Sequence, residues 1–128
     1  MIKRVIKLYQ GDYIFKEGDE SEAMYIIENG EVAILKKQGE IVSKLADLYP
    51  DDLFGEMAFF NSSKRSASAI VTSTSVQLAV LPFTALREDY KTMPAWIKAV
   101  IKSINSHLLT ANTRIQELEK NIQTPIDT

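Results

Sequence analysis

The stretch richest in chemistry runs Phe54-Gly55-Glu56-Met57-Ala58-Phe59-Phe60-Asn61-Ser62-Ser63-Lys64-Arg65-Ser66-Ala67-Ser68. It joins a glycine and an acid to a lone arginine set among small residues. Gly55 has no Cβ, so backbone there can approach a ligand closely. Residues 56–60 suit one short helical turn, whose free N–H groups favour an anion. The Glu56 carboxylate can accept hydrogen bonds from sugar hydroxyls. Arg65 supplies a planar, permanently charged fork suited to phosphate. Ser66 adds a hydroxyl donor, and Ala67 leaves its backbone N–H uncovered. Taken singly these features are ordinary, since Gly-Glu usually marks a turn and Arg-Ser usually decorates a surface. Together they are the parts of a pocket for a small phosphorylated sugar.

Most other chemistries are closed off by composition. The chain has no cysteine, which excludes disulfides, thiolate zinc sites, iron–sulfur clusters and cysteine nucleophiles. Its one histidine, His107, rules out multi-histidine metal sites and most Ser-His-Asp arrangements, and reads as an exposed helix residue. No catalytic residue, metal ligand or cofactor is therefore expected. Fifteen Lys+Arg against 17 Asp+Glu give a formal charge of −2. A domain that coats a nucleic-acid backbone needs a basic excess instead. Near the start, Lys7 interrupts the apolar stretch after Val5-Ile6, whereas a secretory signal needs an apolar run of about 7–15 residues. No later stretch approaches the ~20 apolar residues of a membrane helix. The expectation is a soluble, cytoplasmic domain that itself contacts neither membrane nor nucleic acid.

The 128 residues, 45% hydrophobic and 25% charged, are the size and composition of one globular domain. Up to about Pro82 they read as short strands broken by turns at Gly11-Asp12, Lys16-Glu17-Gly18-Asp19 and Pro50-Asp51-Asp52. Asn29-Gly30 between two β-prone runs predicts a type I′ hairpin. A second hairpin is predicted at Gln38-Gly39-Glu40. A long β-prone tract spans Ser66 to Leu81, with Ala67, Ala69 and Val71 alternating, then Val76, Leu78 and Val80. Such spacing predicts a barrel or jelly roll, because closure hides strand edges.

After Pro82 the period changes. Phe83 to Tyr90 reads as a short helix, and Pro94 suits the opening of a long one. Its apolar seam is Ile97, Ile101, Ile104, Leu108, Ala111, Ile115, Leu118 and Ile122, in alternating steps of 4 and 3. About 28 residues without Gly or Pro would span about 42 Å. A strict 3.5 period marks a coiled coil rather than a broad face packed on a barrel. Arg114 at a g position and Glu119 at the following e position favour a parallel homodimer.

These motifs, in this order, resemble the cyclic nucleotide-binding domain of the catabolite activator and protein kinase regulatory-subunit superfamily. Tyr9-Gln10-Gly11-Asp12-Tyr13-Ile14-Phe15-Lys16-Glu17-Gly18-Asp19 is similar to the family's opening strands. Met24-Tyr25-Ile26-Ile27-Glu28-Asn29-Gly30-Glu31-Val32 is similar to its next hairpin. Phe54-Gly55-Glu56-Met57-Ala58 with Arg65-Ser66-Ala67 resembles its phosphate-binding cassette.

The resemblance implies that Glu56 holds the ribose 2′-hydroxyl and Arg65 pairs with the cyclic phosphate. Gly55, Met57 and Ala58 would add backbone contacts, Ser66 its hydroxyl and Ala67 its N–H. On the long helix, Ala111 would leave room beside the base and Asn112 would bond the purine edge; read alone, Asn112 is equally a solvated flank. The Arg-Ser-Ala order resembles that of bacterial cAMP sensors, which implies cAMP as ligand, with cGMP second. Two departures stand out: Lys64 replaces a common proline and adds positive charge, and Asn61-Ser62-Ser63 lacks a common glycine.

The expected fold is mainly β with C-terminal helices, a jelly-roll barrel (double-stranded β-helix) followed by a short helix and a long dimerisation helix. The expected domains are 1–93 for barrel and short helix, 94–122 for the dimer helix and 123–128 for a tail. The expected function is a non-enzymatic regulatory sensor in which cyclic nucleotide couples to helix and dimer. Two alternatives stay open: a degenerate, ligand-free barrel used for docking, and the sensor fragment of a longer transcriptional regulator.

Overall fold

Two antiparallel four-stranded sheets face each other in the computed structural model, which describes residues 4–61, 63–104 and 106. One sheet has the order β1 (Arg4–Tyr9), β8 (Ser75–Pro82), β3 (Ala23–Asn29) and β6 (Leu53–Phe54). The other is β2 (Tyr13–Phe15), β7 (Ser68–Val71), β4 (Val32–Gln38) and β5 (Ile41–Leu48). Along the chain the strands switch sheet repeatedly, which is the mainly-β barrel arrangement anticipated from the turn spacing. Two short helices accompany them, α1 (Met57–Asn61) and α2 (Phe83–Lys91). The described residues from Thr92 onward belong to a second unit, in which residues 95–104 are helical.

Period-2 burial explains the core. Ile27, Val32, Phe54, Ala69, Val71, Val76 and Leu78 form one buried cluster between the sheets. Fully burying a side chain such as Leu78 or Ile27 stabilises the fold by about 1.5–3 kcal/mol. Met24, Ala58 and Phe83 form a second cluster with Phe59, Leu81 and Leu86. It brings α1 and α2 onto β3 and β8, and so accounts for the burial of Met24 next to inward-facing neighbours.

One turn reading needs correction. Asn29-Gly30 is not a hairpin: β3 pairs with β8 and β6, while β4 pairs with β5 and β7. Gly30 carries the chain from one sheet to the other at φ 94°, and Asn29 is not in the positive-φ region that a type I′ turn demands. A Cβ on Gly30 would lie 2.4 Å from the Ser75 carbonyl, so the crossing is also too tight for a side chain. The β-prone Ser66–Leu81 tract forms two strands in different sheets, with a break at residues 72–74. Its buried positions run Ala69, Val71, then Val76, Leu78: the parity changes at the bend. The hairpin at Gly39-Glu40 forms as expected, with Gln38 opposite Ile41.

Aspartate builds the remaining turns. Asp12, Asp19 and Asp52 each accept, at 2.9 Å, from the N–H three residues earlier, on Tyr9, Lys16 and Tyr49. Such local side-chain bonds compete with strand pairing and end the strand. The Lys16–Asp19 turn then reaches across to Arg65.

Candidate ligand-binding site

Gly55 and Glu56 follow directly from β6, whose Phe54 is locked into the core opposite Tyr25. The chain then enters α1, where Ala58 packs beside Met24 and Phe83. Residues 63–67 return without regular secondary structure, bending at Ser66 and Ala67, and are held on the Lys16–Asp19 turn. Arg65 N donates to Asp19 O at 2.9 Å, and Gly18 N donates to Arg65 O at 2.8 Å. Ser21 Oγ adds a 2.7 Å bond to Ser63 O. The two ends of the segment thereby enclose a pocket of about 260 Å³. That is near the lower end of small-molecule pockets, about 300–1,000 Å³.

Gly55, Glu56, Met57, Ala58, Arg65, Ser66 and Ala67 all line this one pocket. Phe15, Ile34, Leu48, Leu53 and Phe54 complete it with an apolar wall. No local motif announces that wall, since its members come from β2, β4, β5 and β6. Asn112 lies outside the described residues.

Arg65 dominates the electrostatics. It is only 6% exposed, yet among the described residues no carboxylate forms an ion pair with it. Its Nη1 donates to Gly55 O at 2.9 Å and its Nη2 to Ala23 O. The guanidinium lies 4.1 Å from the Phe15 ring centroid. Phe15 clusters with Tyr25 and Phe54, and Tyr25 is stacked on Phe54 at 5.4 Å. Nε is buried without a partner. Burial pushes the Arg65 pKa down, while Tyr25, Asp19 and Glu56 push it back up. An arginine keeps its proton regardless, so the pocket holds a buried positive charge that two carbonyls and an aromatic face compensate only in part.

The remaining predicted residues differ in their surroundings. Glu56 is half-buried at the start of α1, and its carbonyl accepts from Phe59 N at 3.1 Å. Ser66 is exposed, and Lys36 Nζ donates to its carbonyl at 2.7 Å. Lys64 lines the same pocket, and its ammonium lies 3.7 Å from the exposed Glu20 carboxylate. Such a surface pair is worth little. Gly55 has a task that its sequence context did not suggest. At φ 82°, its bare Cα leaves the space that Arg65 Nη1 occupies. Among the described residues no group of three or more His, Cys, Asp or Glu is placed to hold a metal, and no helix is long and apolar enough to cross a membrane.

Comparison with known proteins agrees with this geometry. Residues 5–92 match the cyclic nucleotide-binding domain family. The cyclic AMP receptor protein of Thermus thermophilus is 33% identical over 118 residues, which cover 91% of this chain and 52% of that protein. The structure of the Thermus thermophilus catabolite activator protein superposes with a TM-score of 0.70 at 30% identity, over 94% of this chain and 54% of that one. The cAMP-bound form of the EAL enzyme Bd1971 gives a TM-score of 0.72 at 27% identity, over 94% of this chain and 32% of that one. The chain thus spans about half or less of the length of these relatives. With the family's fold present and its match running from β1 through α2, the chain belongs to the cyclic nucleotide-binding domain family.

Proposed function

We propose that this chain is a regulatory sensor that binds cAMP, and cGMP more weakly, without catalysing a reaction. The observation that carries the reading is the buried Arg65 guanidinium, unpaired by any carboxylate among the described residues and lining one pocket with Gly55–Ala58 and Ser66–Ala67. A cyclic phosphate monoanion supplies the missing charge, taken up by Arg65, the Ser66 hydroxyl and the Ala67 N–H. Gly55, Met57 and Ala58 offer backbone groups to sugar or phosphate. Glu56 accepts from the ribose 2′-hydroxyl, and the apolar wall of Ile34, Leu48 and Leu53 takes the base. Neither metal nor cofactor has a part in this, and the chain itself meets no nucleic acid or membrane.

The 2′-hydroxyl provides the direct test. Hydrogen bonds to a charged group contribute about 1.5–3 kcal/mol, so 2′-deoxy-cAMP is expected to bind at least about tenfold more weakly than cAMP. Glu56→Ala is expected to erase that difference. Calorimetry with cAMP, cGMP and 2′-deoxy-cAMP measures all three. Equal affinity for cAMP and its deoxy analogue places Glu56 elsewhere, a tenfold advantage for cGMP reverses the ligand preference, and no heat from any nucleotide leaves a ligand-free docking barrel.

The output belongs to residues 94–122, with 1–93 as the sensing part and 123–128 as a tail. A ligand shifts a two-state equilibrium only by binding one arrangement better, and a seam helix shared by two chains provides such arrangements. Ile97 and Ile101 are half-buried and Ile104 is exposed on the described helix. Leu108, Ala111, Ile115, Leu118 and Ile122 lie outside the described residues, as does Asn112 with its proposed bond to the base. A parallel homodimer through this seam is expected, with Asn112 near the partner's ligand. Sedimentation equilibrium should give twice the chain mass for the parent and a single chain for the double change Ile104→Asp, Leu118→Asp, since buried charges oppose an apolar seam. A monomeric parent would remove the dimer from the mechanism.

A further inference from the structure

The two carbonyls that flank the proposed phosphate donors are both occupied, each by a residue far away in sequence. Arg65 O accepts from Gly18 N. Ser66 O accepts at 2.7 Å from Nζ of Lys36, which stands on β4, 30 residues earlier. The same ammonium meets Glu17 Oε1 at 3.3 Å. Glu17 is itself anchored on two sides: Lys37 N donates to its Oε2 at 3.2 Å, and its own N–H donates to Ser68 Oγ at 2.9 Å.

A peptide unit is planar and trans, so a fixed carbonyl fixes the direction of the N–H in the same plane. The Ser66 carbonyl shares its plane with the Ala67 N–H, and the Arg65 carbonyl shares its plane with the Ser66 N–H. Among the described bonds neither of those two N–H groups donates to the protein. They point opposite to their tethered carbonyls. A cation on Ser66 O also polarises that amide and strengthens its N–H as a donor.

We propose that Lys36, held by Glu17, is a positioning residue of the ligand pocket, which acts through the Ser66 carbonyl to aim and polarise the Ala67 N–H toward the bound phosphate. The proposal rests on the cyclic-nucleotide reading of the pocket. It assigns a task to an ion pair that has little to do for stability: both side chains are about one-third exposed, at 33% and 34%, and exposed pairs contribute little. The Lys37 N–H and then Lys36 hold the Glu17 carboxyl below its ordinary value, against an opposing effect of burial. The acid is thus ionised and able to hold the lysine.

The test uses the full chain, with calorimetry for cAMP and cGMP, and with the Ala67 amide followed by NMR in the nucleotide-free protein. Lys36→Met is expected to weaken cAMP binding about fivefold, the worth of one hydrogen bond, with little change in melting temperature. It should also shift the Ala67 amide resonance. Lys36→Arg, which keeps the donors, should restore both. A Lys36→Met variant that binds like the parent overturns the proposal while the pocket reading stands. Weaker binding with an unchanged Ala67 amide overturns it too, because the lysine would then act through charge alone. A parent that takes up neither nucleotide overturns the reading, and the proposal with it.

Discussion

Arg65→Ala is expected to abolish cyclic-nucleotide binding and leave a folded barrel. Truncating one partner of a buried charge pair costs about 2–5 kcal/mol or more, and each 1.4 kcal/mol is tenfold in affinity. A loss of at least about thirtyfold follows, and more than about a thousandfold at the upper figure. The effect on folding is a difference of opposing contributions. The variant loses the bonds to Gly55 O and Ala23 O and the stacking on Phe15. Hydrogen bonds from a charged donor are worth about 1.5–3 kcal/mol each, and the cation–π contact about 0.5–2 kcal/mol. Against this, a nearly buried guanidinium no longer has to leave water, which relieves several kcal/mol. The two sides are of similar size, so the apo variant should melt within a few degrees of the parent. Arg65→Lys keeps the charge without the fork, and is expected to fall between parent and alanine. Calorimetric affinity, with circular dichroism as the folding check, decides the matter; alanine binding within threefold of the parent would sink the assignment.

The site was legible where its residues are neighbours in sequence. Gly55 to Ala58 and Arg65 to Ala67 lie within one short segment, so residue type and spacing alone placed them together, and one pocket contains them. What supports them was not legible. Phe15, Ala23, Tyr25 and Lys36 reach Arg65 and Ser66 only because β2, β3 and β4 cross between sheets. Nothing local to those strands signals which sheet each one joins. The Asn29-Gly30 error has the same origin: turn chemistry reports the backbone angle at Gly30, which is positive as expected, but not whether the flanking strands pair. The two alternating sets of the Ser66–Leu81 tract, Ala67-Ala69-Val71 and Val76-Leu78-Val80, carry a further signal. Inward positions fall on odd numbers through Val71 and on even numbers from Val76. A strand cannot change parity without a break, so the bend at residues 72–74 could have been read directly.

Gly55 separates two roles that the sequence had merged. Its backbone was expected to lie close to a ligand, but its bare Cα is also what lets Arg65 settle against the Gly55 carbonyl. A Cβ there would stand 2.8 Å from Arg65 Nη1, 3.5 Å from the Phe15 ring and 3.6 Å from Ala23 O. The nearest of these atoms ends a flexible side chain, so Gly55→Ala should push the guanidinium aside rather than unfold the barrel. The backbone adds its own cost: φ is 82°, and a left-handed residue with a Cβ costs about 1–2 kcal/mol. Gly55→Ala is therefore expected to lower stability by about that amount and cyclic-nucleotide affinity by about tenfold or more. Gly55→Asn distinguishes the two effects. Asparagine tolerates the left-handed region better, and so should recover part of the stability. It carries the same Cβ, however, and should bind as poorly as alanine. Chemical denaturation and calorimetry on the same two variants provide the comparison. Parent-like affinity in Gly55→Ala would mean that the ligand does not need Arg65 where the unliganded pocket holds it.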